Sequence, residues 1–394
     1  MVKVNYLIGI DYGEDVTTAS CVELGNVNMH TSHLNILDSG LPDCQIADSC
    51  ISMSHDGTWS LNHNHNSVKT YWFRRFVEGM ISPAELDTYK LFIKKVFESI
   101  IVNNPFLIFN SETGERNFYL AVACPSRWTR NERLINESNN VTCLQFWQDI
   151  IPVDTMISAS EAAYSYFLNG KHVSINDSTS LLINYEVSVI ESTFIKIVNG
   201  IKHIHSEGSP LGAREVVRAL FYYIEKNQTE QFNKAVSLFN TFVNNYHLSI
   251  DWKPIMWDYL AEMIWYFYHG FYSSENLPPM SMSLYDILHN YSAGNLVFFR
   301  YTDGISKQLF ENEILKSYKS NLYQLFNQLA IDGSPNWIPN TILIYGTGYK
   351  MPWFKELIIE VFGKRSPGLV VEWGDDSSHV VSDGIIQIMR QSLL

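Results

Sequence analysis

A duplicated α/β plan is predicted by this sequence: two halves, each built from a β-hairpin, a later apolar strand and a closing helix. The hairpins carry the prediction. "NYLIGIDYGEDVTTASCVEL" (5–24) reads as strand, polar turn, strand, and "TSLLINYEVSVIESTFIKIVNG" (179–200) repeats that shape in the second half. Both are rich in β-branched residues around a short polar break. The second observation is that each hairpin is followed, after a long variable stretch, by a short apolar strand that ends in a turn. These are "FYLAVACP" (118–125) and "TILIYGTG" (341–348), and the helices "SASEAAYSYFL" (158–168) and "SSHVVSDGIIQIM" (377–389) then close the two halves.

In chain order, residues 42–75 read as short strands around the turn signal "HDGT". "SPAELDTYKLFIKKVFESII" (82–101) predicts a helix, with Ser82 as cap, Pro83 at the first helical position and Glu85 three residues after the cap. In the second hairpin the strands are expected at Leu181–Ile183 and Val187–Val198, with "NYE" as the bend. Residues 213–275 read as several helices, including "REVVRALFYYIE" and the aromatic "WDYLAEMIWYFYHGF". A loop at 273–283 leads into mixed structure, and a helix at about 309–330 precedes the last strand.

Composition narrows the function. The 394 residues carry 46% hydrophobic and 18% charged residues, the balance of a large globular chain with a filled core. A formal net charge of −13 argues against nucleic acid as a partner. No segment reaches the ~20 apolar residues of a membrane span, so no membrane role is expected. The N-terminus enters a strand without a signal-peptide pattern. Five cysteines, Cys21, Cys44, Cys50, Cys124 and Cys143, lack C-x-x-C spacing, so neither a disulfide framework nor a zinc site is expected. These features predict a cytoplasmic protein. His63 and His65 in "NHNHN" alternate onto one face, but no third ligand is evident and a polar turn is the simpler reading.

Five stretches in order carry a resemblance: "IGIDYG" (8–13), "LAVACPSRWTRNERL" (120–134), "ISASEAAYSYFL" (157–168), "SPLGAREVVRAL" (209–220) and "IYGTGYKMP" (344–352). Together they resemble the ATPase domain of the seventy-kilodalton, DnaK-type heat-shock chaperones, within the actin and sugar-kinase superfamily. The resemblance implies an actin-like two-lobe fold of duplicated ribonuclease-H-like units with inserted subdomains. Lobe I is expected at 1–175 with an insertion at about 40–115, and lobe II at 176–394 with an insertion at about 213–310. It also implies a site where two glycine-bearing hairpins clamp the phosphates of ATP through backbone N–H groups, and aspartates hold Mg²⁺ through water. The positions that match this site are Asp11, Gly13 and Asp15 in the first hairpin, Asn184, Glu186 and Glu191 in the second, and Gly346 and Gly348 in the adenosine motif.

The matches are eroded. Asn184 stands where the family has an aspartate, Glu186, Val187 and Ser188 fill small-residue positions, and Ala159 replaces the glutamate before the connecting helix. Glu14 and Asp15 stand where the family has phosphate-binding hydroxyls. One carboxylate ~4 Å from a phosphate charge, at an effective dielectric near 20, costs about 4 kcal/mol, or about a thousandfold in affinity. Val189 takes a threonine's place, and Val187, β-branched where φ is expected to be positive, adds about 1–2 kcal/mol of strain. Glu262, Trp265, Tyr266 and His269 fall where the family sandwiches adenine between cationic stems. Glu186 and Glu191 read as solvated hairpin carboxylates.

The expectation is a pseudo-ATPase: a chaperone-like nucleotide-binding domain kept as a binding or scaffolding module for a protein partner, with no catalytic or metal residues and no cofactor. The chain ends directly after the last predicted helix, so the chaperones' peptide-binding domain is expected to be lacking. The alternatives are a slow ATPase that binds ATP or ADP with Mg²⁺ through Asp11, Asp15 and Glu191, and an actin-like assembly subunit.

Overall fold

The computed structural model of the chain describes residues 4–14, 16–25, 30–38, 44–53, 59–61, 67–69, 83–124, 143–169, 179–227, 229–245, 252–268, 277, 280–283, 297–301, 305–332, 338–346, 348, 350–374 and 378–393. Asp15, His269 and the "NHNHN" stretch lie outside these residues, as do the side chains of Glu262, Trp265 and Tyr266.

Two mixed sheets organise the α/β architecture. In the first half, β1 (Tyr6–Tyr12) and β2 (Val16–Glu23) form the predicted hairpin, and β3 (Ser32–His33) and β4 (Ile46–Asp48) pair with β2. Beyond them a small sheet joins β5 (Cys50–Met53), β6 (Trp59–Ser60) and β7 (Ser67–Lys69). Helix α1 (Pro83–Asn103) is followed by β8 (Phe118–Cys124), α2 (Cys143–Gln148), β9 (Thr155–Ser158) and α3 (Ala159–Asn169). The first sheet runs β3-β2-β1-β8-β9.

The second half opens with β10 (Thr179–Tyr185), β11 (Ile190–Val198) and β12 (Ile201–Ser209). Helices α4 (Arg214–Asn227), α5 (Thr229–Asn245) and α6 (Trp252–Tyr268) follow, with the two-stranded ribbon β13 (Met280–Ser283) and β14 (Val297–Tyr301). Helix α7 (Lys316–Asp332), entered through a π-helical turn at Phe310–Ile314, leads to β15 (Thr341–Tyr345), α8 (Pro352–Gly363), β16 (Val370–Trp373) and α9 (Val380–Leu393). The second sheet runs β12-β11-β10-β15-β16. Strand for strand this is the order and direction of the first: two antiparallel pairings on one side of the central strand and two parallel ones on the other.

Alternation along the central strands supplies three cores. Ile8 and Ile10 pack with Phe92, Val96 and Trp147 on one side of the first sheet. Leu181 and Ile183 pack with Leu220, Leu260 and Phe354 on one side of the second. The opposite faces meet in the middle: Leu7, Ala121, Leu182 and Leu343 share a core with Ala162 and Phe167 of α3 and Ile385 and Ile386 of α9. Ser165 Oγ donates to Gln387 Oε1 at 3.3 Å across those two helices. A helix from each half therefore joins one central layer, and the two hairpin turns end up facing one another.

The predicted bend "NYE" needs correction. Asn184 and Tyr185 belong to β10, and the turn is 186–189, so the second strand starts at Ile190 rather than Val187. Among the described residues no helix is long and apolar enough to cross a membrane. All five cysteines are free thiols.

Candidate functional site

The two hairpins present matching positions at the ends of their first strands. Asp11 sits on β1 opposite Thr18 of β2, one residue before a buried Tyr12. Asn184 sits on β10 opposite Glu191 of β11, one residue before a buried Tyr185. Parallel pairing of β15 with β10 brings Tyr345 beside Asn184, and Gly346 follows at the strand's end. Gly346 has φ +107°, and a side chain there would fall 2.5 Å from the Tyr185 carbonyl oxygen and 2.6 Å from Asn184 Oδ1. Only glycine satisfies both the conformation and the space. Asn184 Oδ1 itself is buried with no hydrogen-bond partner.

Electrostatics join the hairpins at the Tyr345 hydroxyl. Burial pushes that hydroxyl well above the ordinary tyrosine range, and the carboxylates of Glu191, Glu186 and Asp11 push it further the same way. A hydrogen bond to Ser160 Oγ, 3.5 Å away, works in the opposite direction. Thr193 Oγ1 extends this buried line, donating to Ser160 Oγ at 2.8 Å and sharing a 2.9 Å bond with Ser206 Oγ. Asp11 also responds to its surroundings: burial raises its carboxyl from 3.8 to about 7, so it is partly protonated at neutral pH. Burial disfavours negative charge here, and the charges of three acidic side chains from the two hairpins act on the same hydroxyl.

The predicted site residues other than Asp15, which lies outside the described residues, can now be placed. Asn184 and Gly346 adjoin Tyr345, Glu191 lies opposite Asn184 on β11, and the charges of Asp11, Glu186 and Glu191 are felt at the Tyr345 hydroxyl. Gly13 lies beyond the end of β1, where its carbonyl accepts a 2.6 Å bond from Ser49 Oγ. Gly348 N–H donates to the Tyr185 carbonyl at 2.8 Å, which folds the segment after β15 back onto β10. Two expectations are corrected. Glu191 is not a solvated carboxylate: it is 6% exposed, because its position on β11 faces the interior. Val187 carries no left-handed strain, since Asn199 is the one non-glycine residue with positive φ among those described. The turn closes instead through Glu186 N–H donating to the Val189 carbonyl at 2.9 Å.

Ala159 begins α3, and Glu161, two residues on, is engaged with Lys202 of β12 at 2.8 Å. It therefore points to the second sheet's outer strand.

Sequence reasoning missed Tyr345, Ser160 and Ser188. Tyr345 precedes the glycine motif directly, and its place beside that motif was the available signal. Nothing in the sequence marked Ser160, or Ser188 as a partner for Glu14, because each pairing joins distant segments. Glu14 Oε2 accepts from the Ser188 N–H at 2.9 Å, and Glu14 Oε1 from the Ser188 hydroxyl at 2.5 Å. Among the described residues no three His, Cys, Asp or Glu side chains are grouped to hold a metal. A cavity of about 580 Å³ lies elsewhere, bounded by Tyr6, Cys21, Glu23, His33 and Phe106 among others.

No family model matches the chain, and no curated protein matches it in sequence.

Proposed function

We propose that this chain is a pseudo-ATPase: a degenerate counterpart of the DnaK-type chaperone ATPase domain, in an actin-like two-lobe arrangement, acting in the cytoplasm as a binding or scaffolding module for a protein partner. The observation that carries the reading is Glu191, 6% exposed and opposite Asn184 on the second hairpin, whose charge, with those of Glu186 and Asp11, is felt at the buried Tyr345 hydroxyl. A nucleotide phosphate brought between the two turns would meet like charge in a shielded site, where repulsion is weakly screened. The repeated strand order supports the fold part of the reading. The free thiols agree with a reducing compartment. Val198, Ile201 and Ile204, 38%, 62% and 37% exposed, stand on or beside the outer strand of the second sheet and agree with protein contact.

The competing enzyme reading uses the same carboxylates as magnesium holders, since Mg²⁺ selects hard oxygen ligands. The two readings separate in a phosphate-release assay with Mg·ATP. The pseudo-ATPase reading expects release no faster than the buffer blank. Metal-dependent release that Asp11→Ala abolishes would overturn it.

A further inference from the structure

The contact between Glu14 and Ser188 spans 174 positions of sequence and joins the turn of the first hairpin to the turn of the second. Both turns are held from behind. The 186–189 turn is backed by the start of α4: Ala213 N–H donates to the Glu186 carbonyl at 2.9 Å and Arg214 N–H to the Val187 carbonyl at 2.7 Å. Gly212 fits tightly against it, because a side chain there would lie 2.4 Å from Val189 N and 2.5 Å from the Ser188 carbonyl carbon. The first turn is held by Ser49, whose hydroxyl donates to the Gly13 carbonyl at 2.6 Å and shares a 3.1 Å bond with Thr17 Oγ1. The backbone N–H and hydroxyl of Ser188 are thus presented from a fixed platform, and the glutamate reaches them from another.

We propose that Glu14 is a built-in clasp: its carboxylate takes both donors of Ser188, one on each oxygen, and fastens the two hairpin turns together. Charge-assisted bonds to a preorganised pair of donors are the strong kind, and a carboxylate is the side chain whose geometry allows two in parallel. A backbone N–H has one proton to give. While Glu14 holds it, no other anion receives it, and any partner that separates the two sheets must first break this contact. The clasp stands on these two bonds and on the hydrogen bonds that hold Gly13 and the 186–189 turn from behind, and does not depend on the pseudo-ATPase reading.

Native-state hydrogen exchange on the full chain tests it, read at the residue 188 amide in wild type, Glu14→Ala, Ser188→Ala and the double variant. The clasp predicts exchange about tenfold or more faster in Glu14→Ala, from the loss of a charge-assisted bond. It also predicts that the double variant exchanges no faster than Glu14→Ala alone, because the hydroxyl bond is already gone. Amides of β1 and β10 serve as the control for folding, and Glu14→Gln, which keeps the shape and one acceptor oxygen, is the second variant with an intermediate effect. Exchange at residue 188 within about twofold of wild type in Glu14→Ala, or effects of the two substitutions that simply multiply, would overturn the proposal.

Discussion

Asp11 shows how one side chain can separate a structural from a ligating role. Its carboxyl is raised to about 7 by burial, while in the unfolded chain it titrates near 3.8. The unfolded state thus releases its proton first as pH rises, and stability is lost between those values, reaching the full penalty above 7. Asp11→Asn removes the titration. It is expected to stabilise the protein at pH 8 by on the order of 3 kcal/mol and to leave it nearly unchanged at pH 4, checked by urea unfolding at both. A cation held by Asp11 in solution would reverse the sign at pH 8. The other residues of the site divide by how far their partners lie along the chain. Asp11, Asn184 and Gly346 are legible because each follows a strand signal at a fixed offset. The burial of Glu191 is not legible because it depends on which face of β11 the fold covers, and the partner of Glu14 is not because the opposite hairpin supplies it.

The strands and helices that bury an apolar face were readable from alternation and 3.6-residue spacing, as for β1, β8, β10, β15, α1 and α3. Strand β12 was not. Its residues Ile201–Ser209 are mostly exposed and polar, and only its ladder with β11 makes it a strand. Helix α9 was readable as a helix, but its anchorage to the first sheet was not. His379, just before α9, stacks on His33 of β3 with ring centroids 3.6 Å apart, and His33 Nε2 lies 3.3 Å from Asp383 Oδ2. Ser382 and Asp383 of α9 meet Ser20 of β2 at 2.9 and 2.6 Å. Burial, reinforced by His33 and opposed by Asp383, lowers His379 from 6.5 to about 4. For a group depressed on folding, the contribution is complete above 6.5 and falls as pH drops toward 4, where the unfolded chain has already bound its proton. The expected loss across that window is about 3 kcal/mol. Urea unfolding at pH 7 and pH 4.5 should show it in wild type, and His379→Gln should flatten it. An equal pH dependence in the variant would assign the loss to other groups.

At the scale of the whole molecule the repeated plan was legible because the same hairpin, strand and helix order is visible twice in the sequence, and the two sheets repeat one strand order. The joining of the halves was not. It rests on a shared core in which residues from both sheets close around α3 and α9, a set of contacts that no local pattern encodes. That joining brings the two turns face to face, with Glu14 of one bonded to Ser188 of the other. On the proposed reading this frame is a degenerate phosphate clamp whose acidic side chains disfavour nucleotide.

The measurement that tests this most directly is calorimetric titration of the purified chain with Mg·ATP and Mg·ADP, with thermal unfolding recorded on the same samples. The account predicts no saturable heat and no rise in unfolding temperature at millimolar nucleotide. Saturable binding at micromolar concentration, with the stabilisation that mass action then requires, would contradict it and make the acidic cluster a nucleotide site after all.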